Sequence, residues 1–169
     1  ALAAFNDGAG VKLYAGGDFT MSGTTPVAHI AQWNGTAWSP VGSGVNGPVR
    51  SLLAYNDGAG TRLFAGGQFT VAGSTPAANI VAWTGSSWSP LGGGIGAGES
   101  SYVAALTPYT DLGGPALYAA GSFRAASGTT CNSIARWRGG AWSALGDGVQ
   151  SWVQISGSPG YYVPGEVRA

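Results

Sequence analysis

The apolar residues of this chain fall into short runs broken by Gly, Asn, Asp, Ser and Pro, with no helical periodicity between the breaks. Leu52-Leu53-Ala54-Tyr55, Arg62 to Ala65, Ile80 to Trp83 and Trp88 to Leu91 each have the length and residue types of a strand. They are taken in order as strands a, b, c and d. Asn56-Asp57-Gly58-Ala59-Gly60 turns a into b, because Gly and Asn/Asp tolerate positive φ. After its first residue strand b is apolar on both faces, the pattern of a strand covered on both sides. A glycine-rich stretch, Gly92-Gly93-Gly94-Ile95-Gly96, follows d.

The same pattern recurs. Leu13-Tyr14-Ala15-Gly16-Gly17-Asp18-Phe19-Thr20 returns as Leu63-Phe64-Ala65-Gly66-Gly67-Gln68-Phe69-Thr70, and again from Leu117 to Arg124, at offsets of 50 and 54 residues. Ile30 to Trp38 returns as Ile80 to Trp88 and Ile134 to Trp142. A fourth copy starts at Val149 and reaches Tyr161 to Val167. Self-similarity at this period signals a repeat architecture. The chain is expected to be one array over 1–169, with units of about 1–48, 49–98 and 99–148 and a partial unit at 149–169.

The c–d turn allows a deduction about the tryptophans. With a two-residue Asn34-Gly35 loop, Trp33 pairs with Thr36 and Ala31 with Trp38. With a four-residue loop, Trp33 faces Trp38 directly. Alternation along the strand puts both indoles on one face either way. Trp33/Trp38, Trp83/Trp88 and Trp137/Trp142 therefore form a repeated aromatic slab, which a single sheet cannot bury and a stacked neighbour can.

Four strands in about 50 residues predict a β-propeller with one antiparallel sheet per blade. The strand ending in a Gly-Gly doublet (Gly16-Gly17, Gly66-Gly67), followed by two spaced aromatics, resembles the kelch or galactose-oxidase-like propeller repeat. The repeats are also similar to the Trp-Asn-Gly-Thr-x-Trp arrays of bacterial surface and secreted proteins. The departures are Trp33, Trp83 and Trp137, where the kelch pattern has Tyr, and Ala120-Gly121 in place of the doublet. The resemblance implies a fold and leaves function open, since propellers host many activities. Three periods plus strands a and b of a fourth fall short of a closed ring, which uses about four to eight blades. Both ends supply a and b, so neither completes the other. The expectation is a fragment of a longer array, or a ring closed by further copies.

Composition agrees with an all-β chain. Gly supplies 31 of 169 residues and charged residues only 8%, against roughly 7% and a quarter in ordinary proteins. Seven basic residues balance seven acidic ones, leaving no net field to attract nucleic acid. Seven Trp, seven Tyr and five Phe argue against disorder. No apolar run reaches the roughly 18 residues of a membrane-spanning helix, so no membrane insertion is expected. The first residues lack an initiator Met and a basic leader, and read as cut from something longer.

Chemistry-bearing residues are few. His29, the only histidine, aligns with Asn79 and Ser133, which marks the position as merely polar; copper chemistry of the galactose-oxidase type would need two histidines. Cys131 aligns with Val27 and Ala77, the pattern of a small apolar loop residue rather than a reactive thiol. Gly42-Ser43-Gly44-Val45-Asn46-Gly47 spells a dinucleotide fingerprint, but Pro48 and a strand follow instead of a helix. Asp7, Asp57 and Asp111 recur in the a–b turn, with Asp18 and Glu166 near the end of strand b. One carboxylate per turn reads as turn-forming rather than calcium-binding. The Asp box of sialidase-type propellers is absent, Trp33, Trp83 and Trp137 standing at its aspartate. Asn34-Gly35-Thr36 is both a glycosylation sequon and a good hairpin turn. Arg124, Arg136 and Arg138 replace neutral equivalents in copy three and read as solvated edge positions first, and as a candidate patch for an anion or protein partner second.

These readings predict a non-catalytic structural or adhesive module of a secreted or cell-surface protein, with no cofactor and no metal. Its expected partners are the remaining blades of a parent chain or further copies of itself, with a glycan or protein as candidate ligand. A carbohydrate-binding propeller is the alternative. An enzyme is disfavoured for want of converging acids, bases and ligands.

Overall fold

The computed structural model describes residues 1–96, 100–153 and 161–165. Among them there is no helix. The first repeat forms β1 (Leu2–Asn6), β2 (Val11–Gly16), β3 (Met21–Ser22), β4 (Thr25–Pro26), β5 (Ile30–Trp33) and β6 (Trp38–Pro40). The second forms β7 (Val49–Asn56), β8 (Thr61–Gly67), β9 (Val71–Ala72), β10 (Thr75–Pro76), β11 (Ile80–Trp83) and β12 (Trp88–Pro90). The third forms β13 (Tyr102–Asp111), β14 (Gly114–Ser122), β15 (Ala125–Ala126), β16 (Thr129–Thr130), β17 (Ile134–Arg138) and β18 (Ala141–Ala144). Backbone strands β19 (Gln150–Val153) and β20 (Tyr161–Pro164) pair in the fourth copy.

Three four-stranded antiparallel sheets result, ordered β1-β2-β5-β6, β7-β8-β11-β12 and β13-β14-β17-β18. These are the expected a-b-c-d meanders. The c–d loops hold four residues, because Trp33 pairs with Trp38, Trp83 with Trp88 and Trp137 with Trp142. Between b and c each repeat adds a two-stranded hairpin, β3–β4, β9–β10 or β15–β16, that sequence patterning did not anticipate. Single bridges, Val45 to Ala72 and Ile95 to Ala126, tie the loop after strand d to the hairpin of the next repeat. Asn46, inside the dinucleotide-like string, latches the first such junction: its Oδ1 accepts the Thr70 and Val71 amides at 2.8 and 2.9 Å.

The core lies between sheets rather than within them. Each sheet has a leading face toward the preceding repeat and a trailing face toward the following one. One cluster joins Phe5 and Tyr14, on the trailing face of repeat 1, to Leu52, Leu63, Val81 and Trp83 on the leading face of repeat 2. A second joins Phe64 and Ala82 to Leu117, Ala135, Trp137 and Trp142 in the same sense. The indole pairs sit 4.8–5.5 Å apart, centroid to centroid, with tilted rings, a favourable aromatic geometry.

The glycine doublet and a bulge make the close approach of sheets. Register shifts at Arg50 and Ala104 mark β-bulges, which turn Val49 and Val103 onto the leading face. There they meet the first glycine of the preceding doublet. A Cβ on Gly66 would lie 2.6 Å from Val103 Cγ1, and one on Gly16 would overlap Val49. Gly66→Ala is therefore expected to destabilise the fold by about 1–3 kcal/mol through overpacking. Adding Val103→Ala should recover part of that loss in urea unfolding; a neutral Gly66→Ala would remove the doublet's packing role.

Candidate interaction faces

The a–b turn aspartates are the polar centres of the stack. Each closes an Asx turn, with Oδ1 accepting an amide two residues on: Ala9 at 3.0 Å, Ala59 at 3.3 Å and Gly113 at 2.7 Å. Each also holds a cation. Asp7 pairs with Lys12 at 2.5 Å, Asp57 with Arg62, and Asp111 with Arg136 and Arg138 at 2.8 and 2.5 Å.

The remaining acceptor capacity follows strand b. Tyr14 and Tyr118 send their phenols to Asp7 at 3.3 Å and Asp111 at 2.6 Å. The equivalent residue in repeat 2 is Phe64, which has no hydroxyl. Asp57 instead accepts the Trp137 indole of the next repeat at 3.0 Å. Beside it the Trp142 indole donates to the Leu91 carbonyl at 3.0 Å. At the preceding junction the Trp83 and Trp88 indole nitrogens are buried without a hydrogen-bond partner.

These contacts lower the pKa of all three carboxyls. The Lys12 bond leads at Asp7. At Asp57 burial pushes upward but is outweighed by the Trp137 indole, the Arg62 charge and the Ala59 amide. The Tyr118 phenol, then Arg138 and Arg136, hold Asp111 far below the usual carboxylate range. Burial and the neighbouring aspartate raise the two phenols.

Of the arginines singled out in the sequence, Arg136 and Arg138 come together on β17 around Asp111. Arg124 stands exposed before β15 and takes no part in that network. Arg136 Nε also reaches Ser143 Oγ at 3.1 Å, and Arg138 caps the Gly114 carbonyl at 2.5 Å. In repeats 1 and 2 one carboxylate meets one cation. In repeat 3 one carboxylate meets two, on a trailing face where Tyr109 is 62% exposed.

His29 lies 3.8 Å from Asp18, beyond hydrogen-bonding range. Its position has a backbone role that residue-type reasoning missed. His29, Asn79 and Ser133 all adopt left-handed φ, at 65°, 61° and 64°, and Asn is among the residues that tolerate this region best. The Asn79 side chain bridges the Phe69 amide and the Ile95 carbonyl. Cys131 is buried like Val27 and Ala77. Among the described residues no group of three or more His, Cys, Asp or Glu could hold a metal ion; Glu166 lies outside them.

The Trp33/Trp38 pair differs from its counterparts. Both its indoles are partly exposed, as Trp88 is, whereas Trp83, Trp137 and Trp142 are buried. Trp38 there lines a pocket of about 220 Å³ with Ala15, Phe19, Met21, Ser22 and Ala31. Comparison with protein-family models, curated proteins and solved structures finds no match.

Two outcomes are expected. A carboxyl whose pKa falls on folding adds stability above its unfolded value, near 3.9. That stability disappears as pH falls through the folded value. The unfolding midpoint should therefore drop steeply below about pH 4, and Asp57→Asn, which cannot titrate, should be less stable at neutral pH and flatter in acid. Burial pushes the Cys131 thiol up to about 11, so a thiol reagent at pH 8 should label it only at the rate of unfolding; fast labelling of folded protein would contradict the packing.

Proposed function

We propose that the chain is a propeller-type array, similar to the kelch or galactose-oxidase-like repeat, and acts as a non-catalytic structural or adhesive module of a secreted or cell-surface protein. The observation that carries this reading is the destination of the large side chains. The indoles and phenyl rings of repeats 2 and 3 fill the cores between sheets, and the recurrent carboxylates are spent on turns, paired cations and a neighbouring indole. Such an arrangement spaces and stiffens surfaces; it does not gather reacting groups around a cleft. The faces left over are suited to contact with partners, whether remaining blades, further copies or another protein.

The carbohydrate-binding alternative needs an exposed Trp beside converging polar groups. The pocket at Trp38 supplies the indole, but Ser22 is the one polar side chain in its lining, poor provision for the hydroxyls of a sugar. Titration of intrinsic tryptophan fluorescence with neutral and acidic oligosaccharides, alongside a glycan array, separates the readings. A structural module should show no saturable change up to about 10 mM, where even a Kd of about 1 mM would be evident. Saturable quenching that Trp38→Ala abolishes would establish a lectin instead.

A further inference from the structure

The c–d turns keep one backbone and change their residues. Each repeat joins its paired tryptophans by a four-residue loop, and each loop has a left-handed glycine second, Gly35, Gly85 or Gly139, at φ 104°, 102° and 59°. In repeats 1 and 2 the first loop residue supplies an oxygen. Asn34 Oδ1 accepts the Thr36 amide at 2.9 Å, the Ala37 amide at 3.0 Å and the Thr36 hydroxyl at 2.9 Å. Thr84 Oγ1 accepts the Ser86 and Ser87 amides at 3.4 and 3.1 Å, with no amide nitrogen in the side chain. The turn therefore uses an acceptor at this position and has no use for Asn34 Nδ2, which meets no partner among the described residues.

Asn34, Gly35 and Thr36 are all exposed. Thr84 and Ser86, at the same positions in repeat 2, are exposed as well, although the sheet of repeat 1 packs on the face beside them. Exposure thus belongs to the turn's place at the rim of the sheet, and a preceding sheet does not remove it. Of the six asparagines in the sequence, only Asn34 is followed two residues on by Ser or Thr.

We propose that Asn34 is the acceptor for an N-linked glycan. An Asn-x-Thr triplet on an exposed loop is the recognition unit for that modification. In the transfer, Nδ2 attacks the anomeric carbon of a lipid-diphosphate-linked oligosaccharide. A C–N bond forms, the bond from that carbon to the phosphate oxygen breaks, and the lipid diphosphate departs with the electron pair. The proton lost from Nδ2 goes to a base of the transferase, and nothing is oxidised or reduced. The three donors on Oδ1 hold the carboxamide in place and leave its nitrogen unengaged, with the Thr36 hydroxyl that the triplet requires set against it. The inference rests on the secreted or cell-surface reading, because that donor and its transferase act on exported chains.

The intact chain, secreted from cultured mammalian cells, tests it. Mass spectrometry should show one glycan, removed by peptide-N-glycosidase, which leaves the mass of an aspartate at position 34. Thr36→Ala should abolish the glycan with Asn34 in place. Asn34→Asp should abolish it while keeping the oxygen that closes the turn, and Thr36→Ser should retain it. The two unmodified variants should melt within about 2 °C of the deglycosylated chain, since substitutions at exposed sites cost little. Cell-free translation into microsomes gives the same mass readout independently of export. In either system, a chain bare at Asn34 beside control glycoproteins that carry their glycans would overturn the inference, as would a glycan that survives Thr36→Ala. Such a failure strikes only the site. The module reading answers to the sugar titration, and saturable binding there would leave a glycan at Asn34 untouched.

Discussion

The structure depends on one constraint: a four-stranded sheet has two faces, and neither can be buried from within. In this chain each interior face is closed by the next repeat, so the sheets share their cores in pairs. Stability then accrues junction by junction, as in other arrays where a unit touches only its neighbours. The features that recur most strictly serve the junction. The doublet glycine lets two sheets approach, and the bulged valine fills the space it leaves. Gly92, at φ 57°, lies beneath the indoles of repeat 3, where a Cβ would sit 3.5 Å from Trp137 and 2.7 Å from Ser127. Removing side-chain volume there is a packing requirement first and a turn preference second.

The junctions are built alike and wired differently. A tyrosine on strand b turns the adjacent aspartate inward, toward its own repeat. A phenylalanine leaves the same aspartate for the following indole, so the second junction gains a charge-assisted bond the first lacks. A buried indole without an acceptor loses roughly 1–3 kcal/mol relative to a paired one. The second junction is accordingly the better satisfied of the two, since Asp57 accepts the Trp137 indole while the Trp83 indole finds no acceptor. In repeat 3 the aspartate is saturated by its own strand c, so the rule carries through to the end of the series.

Much of this was legible in the sequence because the repeats act as internal controls. Alignment placed the four strands and the shared face of each indole pair, and marked Cys131 as small and apolar like Val27 and Ala77. It left the c–d register open, which the Trp–Trp pairing resolves as a four-residue loop. It missed the b–c hairpins, whose strands of two residues fall below any period a pattern can reveal. It missed the bulges at Arg50 and Ala104, since an extra residue leaves no compositional mark. It treated His29, Asn79 and Ser133 as interchangeable polar residues, when what they share is a backbone conformation. It grouped Arg124, Arg136 and Arg138 as a candidate anion or partner patch or solvated edge, without sight of Asp111, which lies far off in sequence and adjacent to Arg136 and Arg138 across the sheet.

The two faces of each sheet follow from the same constraint, and they are not equivalent. Strand alternation makes every leading face aliphatic and indole-rich, and every trailing face a mixture of aromatic, hydroxyl and ionic groups. Inside the array these opposites meet. The leading face of repeat 1 is neutral, and the trailing face of repeat 3 carries two guanidiniums against one carboxylate. Hydrophobic association is tolerant of partner geometry and nearly indifferent to salt, whereas the guanidinium end is screened over about 10 Å at ordinary ionic strength. The two kinds of face therefore answer to different conditions. The asymmetry originates in a side-chain period of two repeated along the equivalent strands of each antiparallel sheet.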